Sequence, residues 1–156
     1  MQHASFAAMD CPIALSLERV GEWWSILILR DVFHGRTRFD QFRKSLGIAP
    51  NILSRRLHGL VEAGLLTKSR YSEHPPRDEY RLTERGRDFR PVLWALLAWG
   101  NKHFMPEGQA LPLMDAATGL PVEPVMVDAN TGKQMDQAVF RSIRRPPSNA
   151  DIRKQP

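Results

Sequence analysis

The strongest constraint on the fold is a change of apolar repeat at Gly64. Before it, Leu53, Leu57, Leu60 and Val61 recur at the spacing of one helix face, while Asn51, Ser54, Arg55 and His58 share the opposite face. After it, Leu66, Lys68 and Arg70 alternate with Leu65, Thr67, Ser69 and Tyr71, the two-residue repeat of a strand. Pro50 suits a first helical turn, where an amide proton has no intrahelical partner, and Gly64 suits a helix end. A helix over residues 50–63 is therefore expected. The tract Glu73-His74-Pro75-Pro76-Arg77 cannot continue a central strand, because two prolines remove two ladder donors. Residues 78–83 resume extended character, with Tyr80 and Leu82 on one side and Arg81 on the other. The expectation is a helix that leads into a hairpin with a stiff, basic tip.

Three shorter helices precede this pair. Pro12 opens the first, Ile13, Leu17 and Val20 form its stripe, and Gly21 ends it. Residues 23–34 are apolar almost all round, which predicts a buried second helix stopped at Gly35. Thr37 and Asp40 match a capping pattern for a third helix whose inner stripe is Phe39, Phe42 and Leu46. After the hairpin, a long helix from Thr83 to about residue 104 is expected, with Pro91 either kinking it or marking a late start.

The last third differs. Asp115-Ala116-Ala117-Thr118-Gly119 recurs thirteen residues later as Asp128-Ala129-Asn130-Thr131-Gly132. Asp and Gly suit turns, and residues 111–114 and 122–127 suit short strands, so a small β element of two similar turn units is predicted. The fold class is thus mainly α with a small β-hairpin wing and a small C-terminal β element. It divides into a principal unit over residues 1–104, a β-rich appendage over 105–143, and a disordered tail over 144–156.

Charge is unevenly placed. Residues 1–104 hold 16 Lys/Arg against 11 Asp/Glu, whereas residues 105–156 hold 6 of each, so the whole excess of +5 lies in the first two-thirds. Concentrated basic charge suits a polyanionic partner, although a solvated basic face would look the same. No apolar stretch approaches the roughly 20 residues that span a bilayer, and residues 1–10 lack the pattern of a signal peptide. A single cysteine, Cys11, fits a reducing cytosol, and a cytoplasmic location is expected.

The order helix, helix, helix, turn, helix, hairpin, helix is that of a winged helix-turn-helix, in which a small helical core projects one helix into the major groove of double-stranded DNA. The fourth helix offers Asn51, Ser54, Arg55 and His58, and the wing offers Arg70, His74 and Arg77. Ala49, just before that helix, has no side-chain acceptor for the first unpaired amides; a DNA phosphate or water would serve them.

These residues carry a resemblance to the HxlR-type regulators of bacteria. The matching runs are Cys11-Pro12-Ile13, Trp24-x-x-x-Ile28-Leu29-Arg30 and Arg38-Phe39-x-x-Phe42. They continue through Leu53-Ser54-x-Arg56-Leu57-x-x-Leu60-x-x-Ala63-Gly64-Leu65 and Pro75-Pro76-Arg77-x-Glu79-Tyr80-x-Leu82-Thr83. The resemblance implies a homodimer formed by the first and last helices on a near-palindromic operator, with Trp94 and Trp99 at the interface or in the core. It also implies DNA contacts at Arg55, Arg56 and Arg77, although Arg56 flanks the apolar stripe and could brace the fold instead. Some members sense oxidants through a cysteine at the position of Cys11; the competing reading is a buried, inert thiol.

Other chemistry finds little support. The five histidines show no ligand spacing, Ser54 has no evident His/Asp partner set, and no phosphate-binding glycine loop is present, so neither an enzyme nor a metal or cofactor site is expected. The expected function is a sequence-specific transcriptional regulator that answers a small-molecule effector or a thiol-reactive signal. The alternative is a winged-helix protein-interaction module that does not bind DNA specifically.

Overall fold

The computed structural model describes residues 11–135. Four helices come first: α1 (Pro12–Val20), α2 (Trp23–Phe33), α3 (Phe39–Leu46) and α4 (Pro50–Glu62). The hairpin β1 (Leu66–Glu73) and β2 (Pro76–Leu82) follows, then α5 (Glu84–Arg87), α6 (Arg90–Phe104), and the short strands β3 (Leu113–Met114) and β4 (Pro121–Val122). The predicted tail and the end of the appendage lie outside the described residues.

The core is the meeting point of the stripes. Ile28 and Leu29 of α2, Phe42 of α3, Leu53, Leu57 and Leu60 of α4 and Leu66 of β1 are all fully buried. Each such side chain stabilises the fold by about 1.5–3 kcal/mol relative to exposure. Helix α2 is central, as its composition predicts, and it carries a charge inward. Asp31 is completely buried; its Oδ1 accepts from Arg30 at 2.9 Å and lies 3.5 Å from Arg36. Gly64 leaves α4 with φ +69°, a left-handed conformation that strains any residue with a Cβ, and so turns the chain sharply into β1.

Two local expectations need correction, and a third, the last helix, resolves to the late start at Pro91. Thr37 does not cap α3: Gln41 does, its Oε1 accepting the amides of Thr37 and Arg38 at 2.9 and 3.0 Å. Thr37 is instead drawn to the hairpin, where its carbonyl accepts from the Tyr80 amide at 2.7 Å. The hairpin strands run further than the prolines suggest, with Glu73 paired to Pro76 and only His74 and Pro75 at the turn. A two-stranded hairpin has only edges, so a residue without an amide proton can end a strand there. The long last helix is two pieces. A continuous helix would need an amide proton at Pro91, so the chain breaks at Asp88 and Phe89 and restarts with Pro91 in the first turn of α6.

The two Asp-Gly repeats fold alike. Asp115 and Asp128 each accept from the amide two residues on, at 2.7 and 3.2 Å. Their carbonyls accept from Gly119 and Gly132, whose φ angles are +69° and +68°. Each loop is closed by a pair at the same offset, Met114 with Pro121 and Val127 with Gln134. The thirteen-residue repeat is therefore a repeat of structure. Asn101 ties this appendage to α6, donating to the Leu111 carbonyl at 2.7 Å and accepting from its amide at 3.0 Å.

Candidate nucleic-acid interface

Helix α4 presents the expected face. Leu53, Leu57 and Leu60 point into the core, which leaves Asn51, Ser54, Arg55 and His58 exposed together. Arg55 is exposed and forms no ion pair with any described residue. His58 is tethered to Glu62 one turn on, at 3.2 Å, in an exposed pair. The α4 amino terminus begins at Ala49 with no side-chain cap and no acidic residue in its first turn. Pro50 has no amide proton and the Ile52 amide donates to Asn51 Oδ1 at 2.9 Å, which leaves the Asn51 amide and the positive end of the helix dipole facing outward.

Arg56 departs from this face. Its Nη2 lies 2.8 Å from Glu22 Oε2, and its side chain is only 21% exposed. It braces the α1–α2 turn against α4, the structural alternative that its place beside the apolar stripe allowed. The residue sits at the edge of the apolar stripe, which is why helical spacing alone cannot assign it.

The wing carries its charges unequally. Lys68 lies 2.9 Å from one oxygen of Asp78, and Arg70 lies 3.4 Å from the other and 3.5 Å from Glu73. The hydrogen bond from Lys68 holds the Asp78 carboxyl below the usual carboxylate range, and the same bond raises the Lys68 ammonium. Arg81 likewise holds Glu79 low. Arg77, next to the turn, is exposed and has no ion pair with any described residue. Among the described residues, the cations of this surface without an ion pair are therefore Arg55 on the helix and Arg77 on the wing tip, with Arg70 shared between two carboxylates.

Two features escape the periodicity. The Arg38 guanidinium lies 4.3 Å from the centre of the Tyr71 ring, joining the start of α3 to the hairpin. Thr83 joins both ends of the reading unit: its hydroxyl donates to the Gly64 carbonyl at 2.7 Å and accepts from the Gly86 amide at 3.0 Å. Thr83 was visible as a helix start, but not as a tie back to the end of α4.

The family model described as HxlR-like helix-turn-helix matches residues 19–108, more than half of the chain. The chain belongs to this family. An HTH-type transcriptional regulator of Mycobacterium tuberculosis, Rv3095, is 40% identical over 124 residues, 79% of this chain and 78% of the relative. The solved structure of PA1607, described as a transcription factor, matches with a TM-score of 0.81 and 37% identity over 91% of this chain and all of the other. That coverage extends beyond α6, so PA1607 shares part of the appendage. The redox regulator HypR in its reduced form matches with a TM-score of 0.56 and 29% identity over 59% of this chain and 92% of its own.

This HxlR-like protein is a winged helix-turn-helix transcriptional regulator, a DNA-binding and non-enzymatic class. Among the described residues, no helix is long and apolar enough to cross a membrane.

Proposed function

We propose that this regulator binds a palindromic operator as a homodimer, reading bases with Asn51, Ser54, Arg55 and His58 and gripping the flanking backbone with Arg77 and Arg70. The observation that carries this reading is the placing of two exposed arginines, Arg55 on the recognition helix and Arg77 on the wing tip, that form no ion pair among the described residues. The dimer is supported by apolar surface on two elements. Ile13 and Leu17 of α1 and Val92 and Leu96 of α6 are exposed, and they border a groove of about 700 Å³. No residue of α6 is buried, although Trp94, Leu96, Trp99 and Phe104 are large and apolar. A second copy would cover them. In this reading residues 1–104 form the binding and dimerisation unit, and residues 105–143 are an appendage in a cytoplasmic protein.

Salt titration separates DNA reading from a protein-interaction role. A dimer with about six phosphate contacts loses roughly a thousandfold in affinity between about 50 and 200 mM salt. Fluorescence anisotropy on a duplex selected by the protein from a random-sequence library measures this. Binding that ignores salt points to the protein-interaction module instead.

We infer a signal input as well, through Cys11 or through a small molecule. Cys11 is half-buried and is the N-cap of α1. HypR, a redox regulator, is a structural neighbour. A small effector has a candidate seat of about 610 Å³ between α6 and the appendage, bordered by Leu97, Trp99, Leu113 and Val122. With thiol sensing, diamide weakens DNA binding by the wild type and leaves Cys11→Ser unaffected. Equal inhibition of both proteins excludes Cys11 as the sensor.

A further inference from the structure

We propose that the Arg38–Tyr71 stack is a latch that fixes the angle of the distal wing relative to α4, making both residues positioning residues for the reach of DNA contact. The proposal rests on the reading of the wing tip as a DNA contact.

The hairpin has two halves with different support. Its proximal half is fixed by burial of Leu66 and Tyr80 in the core, and Phe42 meets the Tyr80 ring edge-on at 6.4 Å. It is also fixed by main-chain pairing. Tyr80 donates to Thr37, and Arg38 forms a single isolated bridge with Glu79, which ties the chain just before α3 to β2. Beyond Arg70 the regular register breaks: Arg70 pairs with Asp78, but the next pair is Ser72 with Arg77, leaving Tyr71 as the bulged residue. A bulge bends and twists a strand and weakens the ladder locally. No residue from Tyr71 to Arg77 is fully buried, and a two-stranded ribbon alone is marginal in water.

The tie across the bulge comes from α3. Gln41 holds the Arg38 amide at 3.0 Å, so the backbone of Arg38 is fixed to the first turn of α3. Its guanidinium then covers the bulged Tyr71 ring at 4.3 Å. Such a contact is electrostatic attraction between a cation and the negative face of a ring, and it depends on the ring rather than the hydroxyl. Because Phe42 anchors α3 in the same core as Leu57 of α4, the stack links the recognition helix to the direction of Arg77.

The test uses hydroxyl-radical footprinting and affinity on a duplex selected by the wild-type protein, with folding checked by circular dichroism. Tyr71→Ala and Arg38→Ala are each expected to lose protection at the flanks, keep it at the centre of each half-site, and bind about tenfold more weakly. Tyr71→Phe keeps the full footprint. The double variant is no weaker than either single variant, since both remove one contact. Additive losses, or full flank protection in Tyr71→Ala, overturn the latch. If Tyr71→Ala fails to fold, Arg38→Ala, Tyr71→Phe and the Tyr71→Phe/Arg38→Ala pair decide the matter: intact flanks in Arg38→Ala reject the proposal. Arg77→Ala separates the two levels. Loss of flank protection there, with none in the latch variants, rejects the latch alone; unchanged flanks in all of them reject the wing contact and the latch with it.

Discussion

Gly86→Ala is expected to destabilise this regulator by about 3 kcal/mol, the upper range for inserting a methyl group into a packed site. An ideal Cβ on Gly86 would stand 2.1 Å from the Leu65 carbonyl oxygen and 3.1 Å from a methyl carbon of Leu82. The oxygen has nowhere to go. It accepts from the Thr83 amide at 3.1 Å, and Gly86 itself donates to the Thr83 hydroxyl at 3.0 Å. Moving the carbonyl would therefore break the tie between the end of α4 and the start of α5. Gly59→Ala is the control. It lies on the exposed side of α4 with nothing within 4 Å of a new Cβ, so the same methyl should stabilise by roughly 0.5–1 kcal/mol through helix propensity. Thermal melts of the three proteins should place Gly86→Ala roughly 10 °C below the wild type and Gly59→Ala slightly above it. A Gly86→Ala protein that melts with the wild type would mean that α5 can shift at little cost.

Gly86 also marks what one-dimensional patterns leave out. The recognition helix and hairpin were legible because their signals are local: a four-residue stripe ends at Gly64 and a two-residue alternation begins. The paired Asp-Gly turns were legible for the same reason, since each aspartate serves its own loop. Arg56 was not, because its role depends on Glu22, which only the packing of the α1–α2 turn on α4 brings within 2.8 Å. The hairpin ends were misplaced because the rule against proline applies to central strands, and this sheet has none. The latch and Gly86 needed tertiary approach as well. No spacing reveals that Arg38 reaches Tyr71, or that the glycine of α5 lies against the Leu65 carbonyl. The apolar face of α6 was legible as a stripe, but a single chain leaves it uncovered, so its purpose belongs to the assembly.

Arg55→Ala is the second large effect, and it should act on binding without touching the fold. The side chain is exposed and has no ion pair among the described residues, so its removal exposes no buried charge and opens no cavity. The melting temperature should stay within about 2 °C of the wild type, as for most surface substitutions. Specific affinity should fall by about 1–3 kcal/mol, the cost of losing a well-placed arginine contact to a base edge or phosphate. The two classes of contact then separate. If Arg55 reads a base, one position in each half-site loses its sequence preference and non-specific binding changes little. If it contacts phosphate, all sequences weaken alike and the salt slope becomes shallower by about one unit for each contact removed. Altering one half-site of the selected duplex tests the dimer in the same experiment, because a palindrome read by two copies loses Arg55 dependence on the altered side only. Arg56→Ala supplies the opposite signature, lowering the melting temperature by removing the tie between α4 and the α1–α2 turn while leaving sequence preference intact. An Arg55→Ala protein with wild-type affinity on the selected duplex would move the reading surface away from this face of α4.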